Sequence, residues 1–183
     1  MLLNEASELP LARRLREKGG APLGEVFSFM SSLYFRGKLA YARAFATMRC
    51  GAHVIAPGRG LLSLDHPVRR ADLLAMATVT VSQDETRFRE PLARDAQRLA
   101  RTLAPGDAVV LLGSIATDKY VQVLTACFGE RLLFPPAFVG RGDMSRGGLM
   151  LRHAAGGRPL EYAPVSGAVR HGKRPPKLEP LRI

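Results

Sequence analysis

A chain of 183 residues has room for one well-formed core and little room for two. Hydrophobic residues make up 46% and charged residues 23%, which excludes a disordered or fibrous architecture. A net charge of +11 and a pI near 10.6 point toward phosphate-bearing partners, although 22 of the 27 basic residues are arginine and five are lysine, a usage that codon bias toward Arg and Ala also produces. No apolar run approaches the ~20 residues that cross a bilayer. Residues 1–20 carry acids where a secretory signal has a basic start and an apolar stretch, so the expectation is a cytoplasmic protein without a membrane partner. Cys50 and Cys127 lack CxxC spacing and neighbouring histidines, so neither a disulfide framework nor a zinc site is signalled.

The first element is a short amphipathic helix, LARRLREK, ended by Gly19-Gly20 and expected to dock loosely. Residues 23–48 predict helix from apolar positions at Leu33, Tyr34, Tyr41, Phe45 and Met48, with Gly37 as a point of division. AHVIA at 52–56 reads as a buried strand stopped by Pro57-Gly58. Pro67 is expected in the first turn of a helix through VRRADLLAMA, capped near Asp65 or His66, and ATVTVS at 77–82 is a strand or an extended connector. Pro91 is expected to open the clearest helix, with Leu92, Ala96, Leu99 and Leu103 on one stripe and Pro105-Gly106 as its end. DAVVLLG at 107–113 reads as a buried strand, and TDKYVQVLTACF as a helix with Tyr120, Val123, Leu124 and Cys127 inward. RLLF at 131–134 is a third strand; a glycine-rich loop then leads to a helix at LMLRHA, and the extended piece PLEYAPV precedes the tail. This alternation predicts an α/β fold: a small, mainly parallel or mixed sheet with helices on both faces, Rossmann-like and three-layered. One domain would span 1–165, followed by a basic, Pro-containing arm over 166–183, in which Arg170, Lys173, Arg174, Lys177 and Arg182 face Glu179 alone.

In such a sheet ligands bind at the strand ends, where three loops would converge. In Pro57-Gly58-Arg59-Gly60 the glycines permit close backbone approach and Arg59 offers a planar fork to phosphate, though a plain turn looks the same. In Gly113-Ser114-Ile115-Ala116-Thr117-Asp118-Lys119-Tyr120, Gly113 ends a strand where a helix begins, Ser114 and Thr117 add hydroxyls and Lys119 adds charge; helix capping is the competing account. The spacing is not that of a P-loop. In Gly140 to Gly148, Arg141, Ser145 and Arg146 could clamp phosphate and Asp143 is the candidate general base or ribose acceptor, against a simple Arg–Asp pair that stiffens the loop. Tyr34, Phe35 and Tyr41 read as packing aromatics, and no histidine arrangement suggests a catalytic triad or a metal.

The segments FSFMSSLYFRGKLAYARAFA, HVIAPGRGLLSLDHPV, VVLLGSIATDKYVQVL and LLFPPAFVGRGDMSRGGLMLR together resemble a conserved family of bacterial proteins with no established activity, over most of residues 22–178. A wider group of small bacterial domains is similar through Leu33-Tyr34, the stretch from Ala56 to Leu61, and Gly113 to Tyr120. That group is in turn similar to α/β proteins of nucleic-acid metabolism, including base-removing enzymes of the uracil-DNA-glycosylase kind. The resemblance implies a fold and its loops and carries over no catalytic residue.

The leading expectation is therefore a protein that binds a nucleotide, nucleoside or nucleic-acid-derived ligand and hydrolyses or transfers a group on it. Arg59, Gly113, Ser114, Thr117, Lys119, Arg141, Ser145 and Arg146 would bind, with Asp143 as the acid/base; no cofactor or metal is implied. The alternatives are a non-catalytic nucleic-acid-binding module, and a protein-interaction subunit whose arginines meet an acidic partner.

Overall fold

The computed structural model describes residues 1–47 and 51–179; Met48, Cys50 and Arg182 lie outside the described residues. Helix α1 (Pro10–Arg16) starts with proline at a position whose N–H would be unpaired in any case, and Leu11 and Leu15, one turn apart, are buried. Strand β1 (Ala21–Pro22) pairs antiparallel with β4 (Pro67–Val68), so Pro67 belongs to a two-residue strand instead of opening a helix. A short ladder tolerates the missing proline N–H. Helix α3 (Arg70–Ala77) begins after it, where the Asp72 carboxylate accepts from the Arg69 N–H at 2.9 Å.

Helix α2 (Leu23–Phe45) is interrupted at Ser32, with φ 49° and ψ −132°, and not at Gly37. Gly37 instead lies in continuous helix, where its missing side chain has a packing purpose described below. Strands β2 (His53–Ala56) and β3 (Gly60–Ser63) form an antiparallel hairpin in which His53 opposes Ser63 and Ala56 opposes Gly60. Gly58 and Gly60 have φ values of 72° and 79°, the left-handed region a tight turn requires. A Cβ on Gly60 would lie 2.6 Å from the carbonyl oxygen of Pro91, so only glycine lets the hairpin rest on α4 (Thr86–Thr102) at this distance. The Leu61 N–H completes the contact by donating to Asp95 at 3.1 Å.

Pro91 lies inside α4, which starts a turn earlier because the Glu85 side chain accepts from the Arg87 N–H at 3.1 Å. Residues 78–82 form the connector to α4, without strand. Strand β5 (Val109–Val110) runs parallel to β6 (Leu132–Phe134), with α5 (Asp118–Phe128) between them in sequence, and β7 (Ala163–Pro164) pairs antiparallel on the other side of β6. Helix α6 (Asp143–Ala155) comes between β6 and β7.

The Rossmann-like three-layer sheet expected from the element order is overturned. The described residues hold three small sheets, and β5–β6 is the one parallel pair among them. Two physical causes stand out. AHVIA does not lead into a crossover helix, because Gly58 and Gly60 turn the chain straight back on itself. The apolar run 107–113 gives only two residues to the ladder; past it the Leu111 N–H still reaches Leu133 O at 2.8 Å, while Leu111 and Ile115 serve the core. Helix packing fills the remainder. One buried cluster joins α1, α3, the start of α2 and the two two-stranded sheets, a second joins α4, α5, β5 and β6, and a third sets Tyr41 against Phe138, Met150 and Leu160. Among the described residues no helix is long and apolar enough to cross a membrane.

Candidate functional site

Helices α2 and α6 meet through glycine. A Cβ on Gly37 would fall 2.5 Å from the Gly147 carbonyl oxygen, and one on Gly147 would fall 2.6 Å from the Leu33 carbonyl oxygen. Backbone touches backbone at this crossing, which any side chain would push apart. Each glycine sits beside a cation, Lys38 after Gly37 and Arg146 before Gly147, so the close approach brings two basic groups together. Tyr34 lies one turn before Lys38 on the same face of α2, and Asp143 lies one turn before Arg146 on α6.

The resulting cluster is charged and partly sealed. Arg146 is buried; its Nε donates to Phe138 O at 3.2 Å and its Nη1 faces the Asp143 carboxylate at 3.3 Å. Asp143 keeps 64% of its side chain exposed. The Lys38 ammonium stands 4.1 Å from the centre of the Tyr34 ring, a cation–π arrangement, and has no hydrogen-bond or ion-pair partner among the described residues. Burial pushes the Lys38 amine down to about 8; Asp143 works against that shift and Arg146 adds to it. The Tyr34 phenol is pushed up to about 12, first by burial and then by Asp143, with the Arg146 hydrogen bond opposing. The Tyr120 phenol is raised as well, chiefly by burial. Both phenols therefore stay protonated at neutral pH, the Tyr34 oxygen accepting from Arg146.

The loop from β5 to α5 closes one side. The Tyr120 hydroxyl donates to Ser114 O at 2.9 Å, and it lies 2.7 Å from where a Cβ on Gly113 would be. Glycine at 113 is thus required for the phenol to reach its position. Ser114 Oγ accepts from the Ala116 N–H at 3.3 Å, so this hydroxyl shapes the loop. Lys38, Gly113 and Tyr120 all line a cleft of 490 Å³ whose other walls are mostly apolar, among them Phe35, Leu39 and Leu111. Tyr41 and Tyr162 line it too; the Tyr41 hydroxyl accepts from the Leu160 N–H at 2.7 Å and pairs with the Tyr162 hydroxyl.

The remaining residues expected at the site are placed elsewhere or otherwise engaged. Arg59 sits in the hairpin turn, 3.3 Å from Asp72 of α3, beside a second hollow lined by Pro91 and Arg94. Thr117 precedes α5 without a side-chain capping bond, and Thr117 and Lys119 are exposed. Arg141 donates to Ala137 O at 2.9 Å, Ser145 Oγ at 3.1 Å and Pro176 O at 3.3 Å. After a turn at Ser166-Gly167, segment 168–179, without helix or strand, is tied beside α6 through Arg141 and through Arg152, whose guanidinium donates to Glu179 O. Arg170 pairs with Asp118 at the start of α5. Asp143, Ser145 and Arg146 belong to the first turn of α6, which starts nearly two turns earlier than the helix expected from LMLRHA.

Sequence patterning does not single out Lys38; it reads Tyr34 as a packing aromatic, and Tyr120 as the end of the Gly113–Tyr120 loop and an inward position of the following helix. A usable signal exists in the pairing of small residue and cation, Gly37-Lys38 on one helix and Arg146-Gly147 on another. Among the described residues no group of three or more His, Cys, Asp or Glu side chains is gathered as metal ligands would be. Comparison with family models, curated proteins and solved structures gives no match to this chain.

Proposed function

We propose that the protein binds a phosphate-bearing small molecule of the nucleotide or nucleoside class in the cleft beside Lys38, and hydrolyses or transfers a group on it. The observation that carries this reading is the charge at the α2–α6 crossing: two cations, Lys38 and Arg146, are gathered against one carboxylate that is itself turned to solvent. A partly buried excess of positive charge costs free energy until an anion joins it. The adjoining volume of 490 Å³ is within the range of small-molecule sites, and its apolar walls suit a base or another flat ring. Tyr34 and Tyr120 supply neutral hydroxyls, and Asp143, reachable from solvent, is the candidate acid/base or orienting carboxylate.

Titration calorimetry with a panel of 5′-mononucleotides and inorganic phosphate tests the reading. At least one member should bind, and Lys38→Met should weaken it about 10-fold or more, the scale of one charge-assisted contact. A panel that binds nowhere, or binds equally well to the variant, refutes it. Asp143→Asn should leave binding in place and abolish turnover.

One further observation favours a second reading. Lys173, Arg174 and Lys177 in segment 168–179 are exposed and have no carboxylate partner among the described residues, as a surface gripping a nucleic-acid backbone would present. Anisotropy of a labelled oligonucleotide over a salt series decides: deletion of residues 166–183 should weaken binding to all sequences alike and lower the salt slope.

A further inference from the structure

We propose that Lys38 is the nucleophile of this cleft, its Nζ adding to the carbonyl carbon of an aldehyde-bearing sugar phosphate to form a protonated imine. The inference rests on the phosphate-binding reading above and narrows its ligand to one with a free or ring-opened aldehyde. Three features of the geometry carry it. Lys38 lines the 490 Å³ cleft among mostly apolar neighbours, with no carboxylate, carbonyl or hydroxyl holding its amine among the described residues. The buried Arg146 guanidinium, held by Phe138 O and Asp143, adds a second, permanent positive charge near the amine and disfavours its protonation. The Tyr120 phenol lines the same cleft, and the Tyr34 ring faces the ammonium at 4.1 Å.

The step balances without an oxidant or reductant. The neutral amine's lone pair forms the N–C bond while the carbonyl π pair moves to oxygen, and a water relays one proton from the nitrogen to that oxygen to give the neutral carbinolamine. The nitrogen lone pair then forms the C=N bond as the hydroxyl, protonated by solvent, leaves as water. The sum is amine plus aldehyde plus one solvent proton giving protonated imine plus one water. The product nitrogen, once protonated, is again a cation over the Tyr34 ring face, so the contact that holds the ammonium also suits the imine. Burial and Arg146 keep a usable neutral fraction of the amine: roughly one in ten molecules at pH 7, against fewer than one in ~10³ for an exposed lysine.

The chain has only five lysines, and the other four, Lys18, Lys119, Lys173 and Lys177, are exposed and serve as internal controls. The test is incubation of the full chain at pH 7 with glyceraldehyde 3-phosphate and cyanoborohydride, followed by peptide mass spectrometry. Lys38 should carry the reduced adduct at least ~10-fold above each exposed lysine, as its larger neutral fraction dictates. Inorganic phosphate should protect it, and Lys38→Arg, which keeps the charge but forms no imine, should abolish it. An even distribution of adduct, or one favouring the exposed lysines, overturns the proposal. This readout is taken on the unaltered protein, so it stands even where the variant fails to fold. Loss of the adduct with retained mononucleotide binding removes the imine and leaves the phosphate reading in place. An adduct on Lys38 formed equally with unphosphorylated glyceraldehyde, and unaffected by phosphate, keeps the imine and removes the phosphate reading.

Discussion

Gly147→Ala should destabilise the protein although alanine is the better helix former. In the middle of α6 the exchange by itself would favour folding by about 0.8–1 kcal/mol. Against this, the new Cβ would stand 2.6 Å from Leu33 O and 2.8 Å from Tyr34 Cα, backbone atoms of α2 that cannot rotate away. Overpacking of this kind costs ~1–3 kcal/mol when side chains can adjust, and the upper half of that range applies where two helix backbones must separate. The net expectation is a loss of about 1–2 kcal/mol, or roughly 2–8 °C in Tm for a chain of this size. Gly148→Ala is the internal control: its Cβ would meet only Leu178 Cδ1 at 3.4 Å, an ordinary contact, so the helix term should dominate and stability should hold or rise. Urea unfolding followed by circular dichroism measures both. If Gly147→Ala matches Gly148→Ala, the backbone-on-backbone crossing is wrong, and with it the reason Lys38 and Arg146 come together.

The hairpin gives a harsher case: Gly60→Ala combines a left-handed φ of 79° with a Cβ lying 2.6 Å from Pro91 O, and should cost about 3 kcal/mol or more in the same assay. Lys38 sets a pH dependence of stability. Its amine is near 8 in the folded state and near 10.5 when free, so between those values the unfolded chain binds more protons and stability rises with pH. Lys38→Met should flatten that rise, whereas Tyr34, raised to about 12, should make stability fall again above pH 10. For Asp95, burial acts upward but the Arg94 guanidinium and the Leu61 N–H outweigh it, and the carboxyl is held below its ordinary value. Its contribution is present at neutral pH and is lost as pH falls below ~4, so Asp95→Asn should show a shallower acid limb in urea midpoints taken from pH 5 to 2. Arg141→Ala removes the bond to Pro176 O and should speed proteolytic clipping within 166–179 while the helical signal is unchanged.

The sequence by itself determined most of the helices. The stripe of Leu92 and Ala96 in α4, the stripe of Val123 and Leu124 in α5, and the apolar positions of α2 carry a 3.6-residue period that needs no partner to be visible. It also marked Asp143, Arg146, Gly113 and Ser114, because charge and small residues clustered beside strand ends are conspicuous in one dimension. Strand partners were decided by the tertiary structure. A run such as AHVIA or DAVVLLG announces burial without saying whether its neighbour lies along a crossover or straight back through a turn, so alternating elements mimicked a parallel sheet. Two positive-φ glycines, Gly58 and Gly60, settled that question locally. The site followed the same division. Lys38 lies more than a hundred positions from Arg146 in the chain, and an exposed helix lysine and a half-buried one have the same letter. Only the contact between Gly37 and Gly147, a property of two helix surfaces and of neither sequence segment alone, turned a charge on α2 into a half-buried amine on the wall of a cleft.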